Sequence, residues 1–188
     1  MILADTSSLF ALAHYYQPLQ DGSCVDSLLM QLVQNGTIKI IDAVLEECAR
    51  LSQGKVISRF QFLSNNVENT RELVPNAPQR FDRMLDNNFC NLPMKKNLPE
   101  EEYIVRKNAY YKTADCKLIV YAYNVKTNTE LFQEEVIIMT EESKFSNDGK
   151  LFKKIPAICE NLGISIISAT DFMKSHNARI FIDQNPLI

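Results

Sequence analysis

Met1-Ile2-Leu3-Ala4-Asp5-Thr6-Ser7-Ser8-Leu9 opens the chain, and its reading decides the fold. A short apolar run meets Asp-Thr-Ser-Ser and then turns apolar again, as when a buried strand hands over to a helix. The Asp5 carboxylate then lies at the carboxyl end of the strand, with hydroxyls at the start of the helix. Ligands bind at that edge in open α/β sheets. Asp is also a good helix N-cap, so the residue taken alone fits either role.

Working outward, the helix through Leu9, Phe10, Leu12 and Ala13 is expected to end before Pro18. Residues 25–34 have helical periodicity and stop at Asn35-Gly36, a C-cap signal. The β-branched run Thr37-Ile38-Lys39-Ile40-Ile41 reads as a second strand, and Asp42 as the N-cap of a helix carrying Val44, Leu45, Cys48 and Leu51. This order opens a parallel α/β sheet. Residues 55–98 carry weak helical periodicity broken by Pro75, Pro78 and Pro93, and are expected to form a helical insertion or cap. Pro99-Glu100-Glu101-Glu102 starts a helix, and Thr113-Ala114-Asp115 opens another. Residues 135–140 and 164–167 read as two further strands, separated by a short helix that Gly163 closes, and Thr170 or Asp171 begins a final helix. The whole is expected to be one α/β domain over residues 1–188.

The 188 residues can bury a substantial core, and the 46% hydrophobic and 23% charged fractions are those of an ordinary globular chain. A net charge of −3 argues against a broad polyanion-binding surface, so any nucleic-acid contact must be local. Five dispersed cysteines without CxxC spacing exclude a disulfide framework and a zinc-ribbon pattern. No apolar run approaches the ~20 residues of a membrane span, and no signal peptide is visible, so a cytoplasmic protein with no membrane contact is expected.

Three more acidic positions fall where Asp5 does. Glu46-Glu47 lies early in the helix after the second strand, Asp115 opens its helix, and Glu141-Glu142 follows the strand that ends before Thr140. With parallel strands these acids share one sheet edge, a donor set suited to Mg²⁺ or Mn²⁺. Each residue also has a plain structural role: helix capping for Asp5 and Asp115, dipole compensation for Glu46 or Glu47, a solvated loop for Glu141 and Glu142. Like charges gathered without a cation raise one another's pKa values, which gives a convergent set a chemical reason to bind one.

In the order of their motifs, residues 2–9, 44–51, 114–122 and 137–142 resemble the PIN-domain superfamily of metal-dependent ribonucleases. The stretch from Lys154 to Ile164 is similar to a bacterial and archaeal PIN-like branch sometimes linked to toxin–antitoxin pairs. The resemblance covers both ends of the chain and leaves residues 55–98 outside it. It implies a three-layer α/β/α fold with a parallel sheet of about five strands. It further implies that Asp5, Glu47, Asp115 and Glu142 hold one or two Mg²⁺ or Mn²⁺ ions, with Ser7 and Thr140 as supporting polar residues. Glu47 is preferred to Glu46 because it precedes the Cys-Ala-Arg-Leu that matches the family's helix. Glu142 departs from the Asp more usual in the fourth place. The implied substrate is RNA, and the implied partners are an antitoxin protein and a second copy of the chain.

Arg106, Lys107, Tyr110, Tyr111 and Lys112 form a basic-aromatic run that could contact RNA, with Lys153-Lys154 as a second candidate. The run equally suits a solvated helix end with partly buried tyrosines. His14 and His176 lie outside the motifs and are expected to be structural or exposed. No Ser-His-Asp arrangement, P-loop or GxGxxG occurs. The alternatives are a catalytically inactive RNA-binding or protein-assembly module of the same fold, a structure-specific DNA nuclease, and a small-molecule phosphatase.

Overall fold

A computed structural model describes residues 1–20, 22–51, 53–128, 135–143 and 149–178. Five parallel strands form the central layer: β1 (Ile2–Ala4), β2 (Ile38–Ile41), β3 (Val67–Glu68), β4 (Ile137–Met139) and β5 (Ser165–Ile167), in the order β3-β2-β1-β4-β5. The three middle strands are almost wholly apolar because helices cover both faces of the sheet, giving the three-layer α/β/α architecture. Leu3, Ala4, Ile40, Ile41, Ile138 and Met139 are completely buried.

The helices are α1 (Thr6–Ala11), α2 (Cys24–Gln34), α3 (Asp42–Leu51), α4 (Lys55–Arg59), α5 (Pro78–Asn87), α6 (Leu92–Lys96), α7 (Glu100–Tyr111), α8 (Ala114–Thr127), α9 (Ile155–Leu162) and α10 (Ala169–Ser175). A π-helical turn over Leu12–Tyr16 extends α1, followed by one 3₁₀ turn that contains Pro18. Ser168 caps α10 by accepting from the Asp171 amide, so that helix starts slightly earlier than expected.

Residues 55–98 are not a purely helical insertion. Val67 and Glu68 add the edge strand β3 beside Ile40 and Ile41, and Asp42 ties the following loop down by accepting from the Thr70 amide at 3.0 Å and from the Thr70 hydroxyl. Helix α5 from the same segment buries Phe81 against Phe89, Tyr111 and Tyr123.

Strand order locates the functional edge. From β1 the chain proceeds outward to β2 and β3, then crosses back to β4 on the other side of β1. The switch point is the crevice between β1 and β4, where ligands bind in doubly wound sheets. The register pairs Ala4 with Met139 and Met139 with Ile167, and the ladder runs one step further: Asp5 N–H donates to the Met139 carbonyl at 2.9 Å and Thr140 N–H to the Ile167 carbonyl at 3.0 Å. Asp5 and Thr140 therefore stand side by side at the carboxyl ends of the two strands.

Candidate active site: an acidic pocket at the switch point

Asp5 is buried to 3% exposure, and its carboxylate collects three donors. One oxygen accepts from the Thr6 amide at 2.7 Å; the other accepts from the Ser7 hydroxyl at 2.6 Å and the Thr140 hydroxyl at 2.9 Å. Both hydroxyls are oriented from behind: Ser7 Oγ accepts from the Glu141 amide at 2.9 Å, and Thr140 Oγ1 from the Glu142 amide at 3.2 Å. Ser7 and Thr140, expected as supporting residues, thus fix Asp5 in one orientation. Burial drives the Asp5 pKa up and these hydrogen bonds pull it back, with a net rise.

Glu47 reaches the same place from α3, accepting from the Thr6 hydroxyl at 2.6 Å and lying 3.8 Å from Arg50. Its neighbour Glu46 is exposed and outside the pocket, which separates the two as the sequence could not. Asp115 arrives on the first turn of α8, a helix whose start Thr113 fixes by capping the Cys116 amide at 3.2 Å. Glu142 accepts from the Ile155 amide at the start of α9 at 3.0 Å. Glu141 joins them at the rim, its carboxylate accepting from the Ala169 amide at 2.5 Å. The sequence named Glu141 only as Glu142's neighbour.

These side chains share one open cavity of about 500 Å³, lined by Asp5, Glu47, Asp115, Glu141 and Glu142 together with Lys150, Phe10 and Tyr15. Asp115 is its least compensated member. Among the described residues no hydrogen-bond donor reaches its carboxylate, and burial followed by the charges of Asp5, Glu142 and Glu47 pushes its pKa up to about 7. Burial also raises Glu142, against the pull of the Ile155 amide. The donor set is all carboxylate oxygen, the chemistry of a hard divalent cation. Among the described residues, however, no group of three or more His, Cys, Asp or Glu side chains is arranged to hold a metal ion. Internal hydrogen bonds fix the carboxylates of Asp5, Glu47 and Glu142 and leave lone pairs on their oxygens for a cation.

The basic-aromatic run lies elsewhere, and four of its five members have partners within the protein. Lys107, its side chain 13% exposed, bridges Asp82 at 2.7 Å and Asp86 at 2.9 Å on α5. Arg106 pairs with Glu102 at 2.6 Å, one helical turn back. Tyr111 donates to Asp82 at 3.0 Å, and the Tyr110 ring stacks on Phe152 at 4.3 Å with its hydroxyl buried. Lys112 alone of the five is exposed without such a pairing among the described residues. The run is therefore a packing seam between α5 and α7; its partners come from a segment some 25 residues away, beyond the reach of local pattern. No residue of 55–98 lines the acidic cavity, so that segment is not a cap over it. Lys153 and Lys154 flank a separate cleft beside Asn91 and Asn161. His14 stacks on Phe10, and His176 packs against Phe172.

Fold and site together define an α/β protein with a pocket of carboxylates at its switch point. The chain matches, over residues 2–180, the family described as Domain of unknown function (DUF4411), and belongs to that family. Comparison with curated proteins finds no match. Among the described residues no helix is long and apolar enough to cross a membrane.

Proposed function

We propose that the protein is a PIN-like, Mg²⁺- or Mn²⁺-dependent endoribonuclease whose active site is the acidic pocket. One observation carries the reading: Asp115, half-buried beside three other carboxylates and with no donor to its carboxylate among the described residues, lines the pocket at the sheet's switch point. Such a carboxylate is costly in the bare protein, and a bound cation would remove the cost.

In this reading Asp5, Glu47, Asp115 and Glu142 hold the ion. When bound, a divalent cation supplies charge stabilisation to a phosphate and lowers the pKa of water. The chain's own contribution is preorganisation. Ser7 and Thr140 fix the Asp5 carboxylate, the Ile155 amide orients Glu142, and the capped start of α8 places Asp115. Lys150 is the cationic side chain in the cavity wall, suited to a phosphate oxygen. A toxin paired with an antitoxin protein, acting in the cytoplasm, is the cellular role this reading suggests.

Incubation with labelled RNA, with and without Mn²⁺, tests it. We expect cleavage that requires the metal and is lost in Asp5→Asn. Cleavage without metal, or cleavage surviving that substitution, contradicts the mechanism. Matched DNA strands in the same assay separate the ribonuclease from the DNA-nuclease alternative.

A further inference from the structure

Ten large apolar side chains are more than a third exposed among the described residues, and three of them, Phe10, Tyr15 and Leu51, wall the acidic cavity. Tyr15 is 64% exposed and makes no hydrogen bond or ring contact among the described residues, whereas its neighbour Tyr16 bonds Thr170 at 2.6 Å. Phe10 is 39% exposed, and His14 backs it in a parallel stack at 3.8 Å and 14°. Single exposed apolar residues need no explanation, but two aromatic rings on the rim of a carboxylate pocket do.

The backbone sets both rings on the same cavity wall. Residues five apart diverge around an α-helix of 3.6 residues per turn. After α1 the helix widens into the π-helical turn, closed by Gln17 N–H donating to the Leu12 carbonyl, and this turns Tyr15 back toward the face that carries Phe10. The His14 ring then lies against Phe10, with its Nδ1 3.1 Å from the Phe10 carbonyl. The wide turn thus leaves two exposed aromatic rings on the cavity wall beside the acids.

We propose that Phe10 and Tyr15 form a nucleobase-stacking subsite, which grips an unpaired base next to the phosphate held at the carboxylates. The inference rests on the reading of the cavity as a phosphodiester site and adds what holds the unpaired strand there. Flat rings accept the π-face of any base, and stacking needs no polar partner. A protein partner fits less well, because three side chains fall far short of the roughly 1,000 Å² a stable protein interface buries.

The test is a titration of a single-stranded RNA carrying 2-aminopurine, in Mn²⁺ and in EDTA, with wild type, Tyr15→Phe and Tyr15→Ala. Stacking predicts quenching by wild type and Tyr15→Phe, with affinity about 5- to 150-fold weaker in Tyr15→Ala. An RNA with an abasic nucleotide in place of the reporter base should bind wild type and Tyr15→Ala alike. Equal affinity of Tyr15→Ala and wild type for the intact RNA, or no quenching at all, overturns the subsite. Loss of self-association in Tyr15→Ala without any quenching would assign the rings to a protein contact and also overturn it. Quenching without Mn²⁺-dependent cleavage would leave the subsite standing and remove the nuclease reading.

Discussion

Asp115 carries the sharpest consequences at the scale of single residues. Its folded-state pKa of about 7 lies above the ordinary 3.8, so the folded protein holds this proton more tightly than the unfolded chain does. The stability that follows is present at low pH and is lost as pH rises from about 4 to about 7. Asp5 and Glu142, also raised by burial, act in the same direction. In EDTA, wild type should therefore melt at lower temperature at pH 8 than at pH 5. Asp115→Asn should flatten that dependence, the difference at pH 8 amounting to a few kcal/mol. A wild-type melting temperature that rises from pH 5 to pH 8 would show that Asp115 does not carry the proposed strain. Thr140→Val probes the opposite side of the pocket. It removes one of the hydroxyls donating to buried Asp5 and should cost about 1–3 kcal/mol in urea unfolding, with the fold kept.

At the scale of elements, the seam between α5 and α7 separates a packing role from a binding one. Lys107→Met breaks the bridge to Asp82 and Asp86 and should destabilise the protein by roughly 1–2 kcal/mol while leaving RNA affinity unchanged. A drop in affinity without a drop in stability would return this run to the RNA interface. What the sequence disclosed follows the same division. Strands β1, β2 and β4 were legible because burial on both faces demands continuous apolar runs, and α8 because Thr113 and Asp115 make an explicit helix start. Val67–Glu68 was not, since two residues between asparagines carry no period and become a strand only beside Ile40 and Ile41. Asp5, Glu47, Asp115 and Glu142 were legible as positions, and the structure brings all four to one cavity. Their hydrogen-bond partners were not, because contacts such as Thr140 to Asp5 depend on strand order rather than on spacing. The π-helical turn that displays Tyr15 leaves no signature in the residues it contains.

For the whole molecule, the order β3-β2-β1-β4-β5 turns acids from distant parts of the chain into neighbours, at the price of a repulsion that the bare fold must bear. A ligand that binds only the folded state stabilises it by mass action. Mn²⁺ at a hundred times its dissociation constant should therefore add about 2.7 kcal/mol to the stability of wild type at pH 8. The most direct measurement is calorimetric titration of Mn²⁺ into the metal-free protein, with Asp115→Asn in parallel. The account predicts saturable binding to wild type at pH 8 that is weakened at least tenfold in Asp115→Asn. Absence of binding to wild type, or equal binding to both proteins, would contradict it.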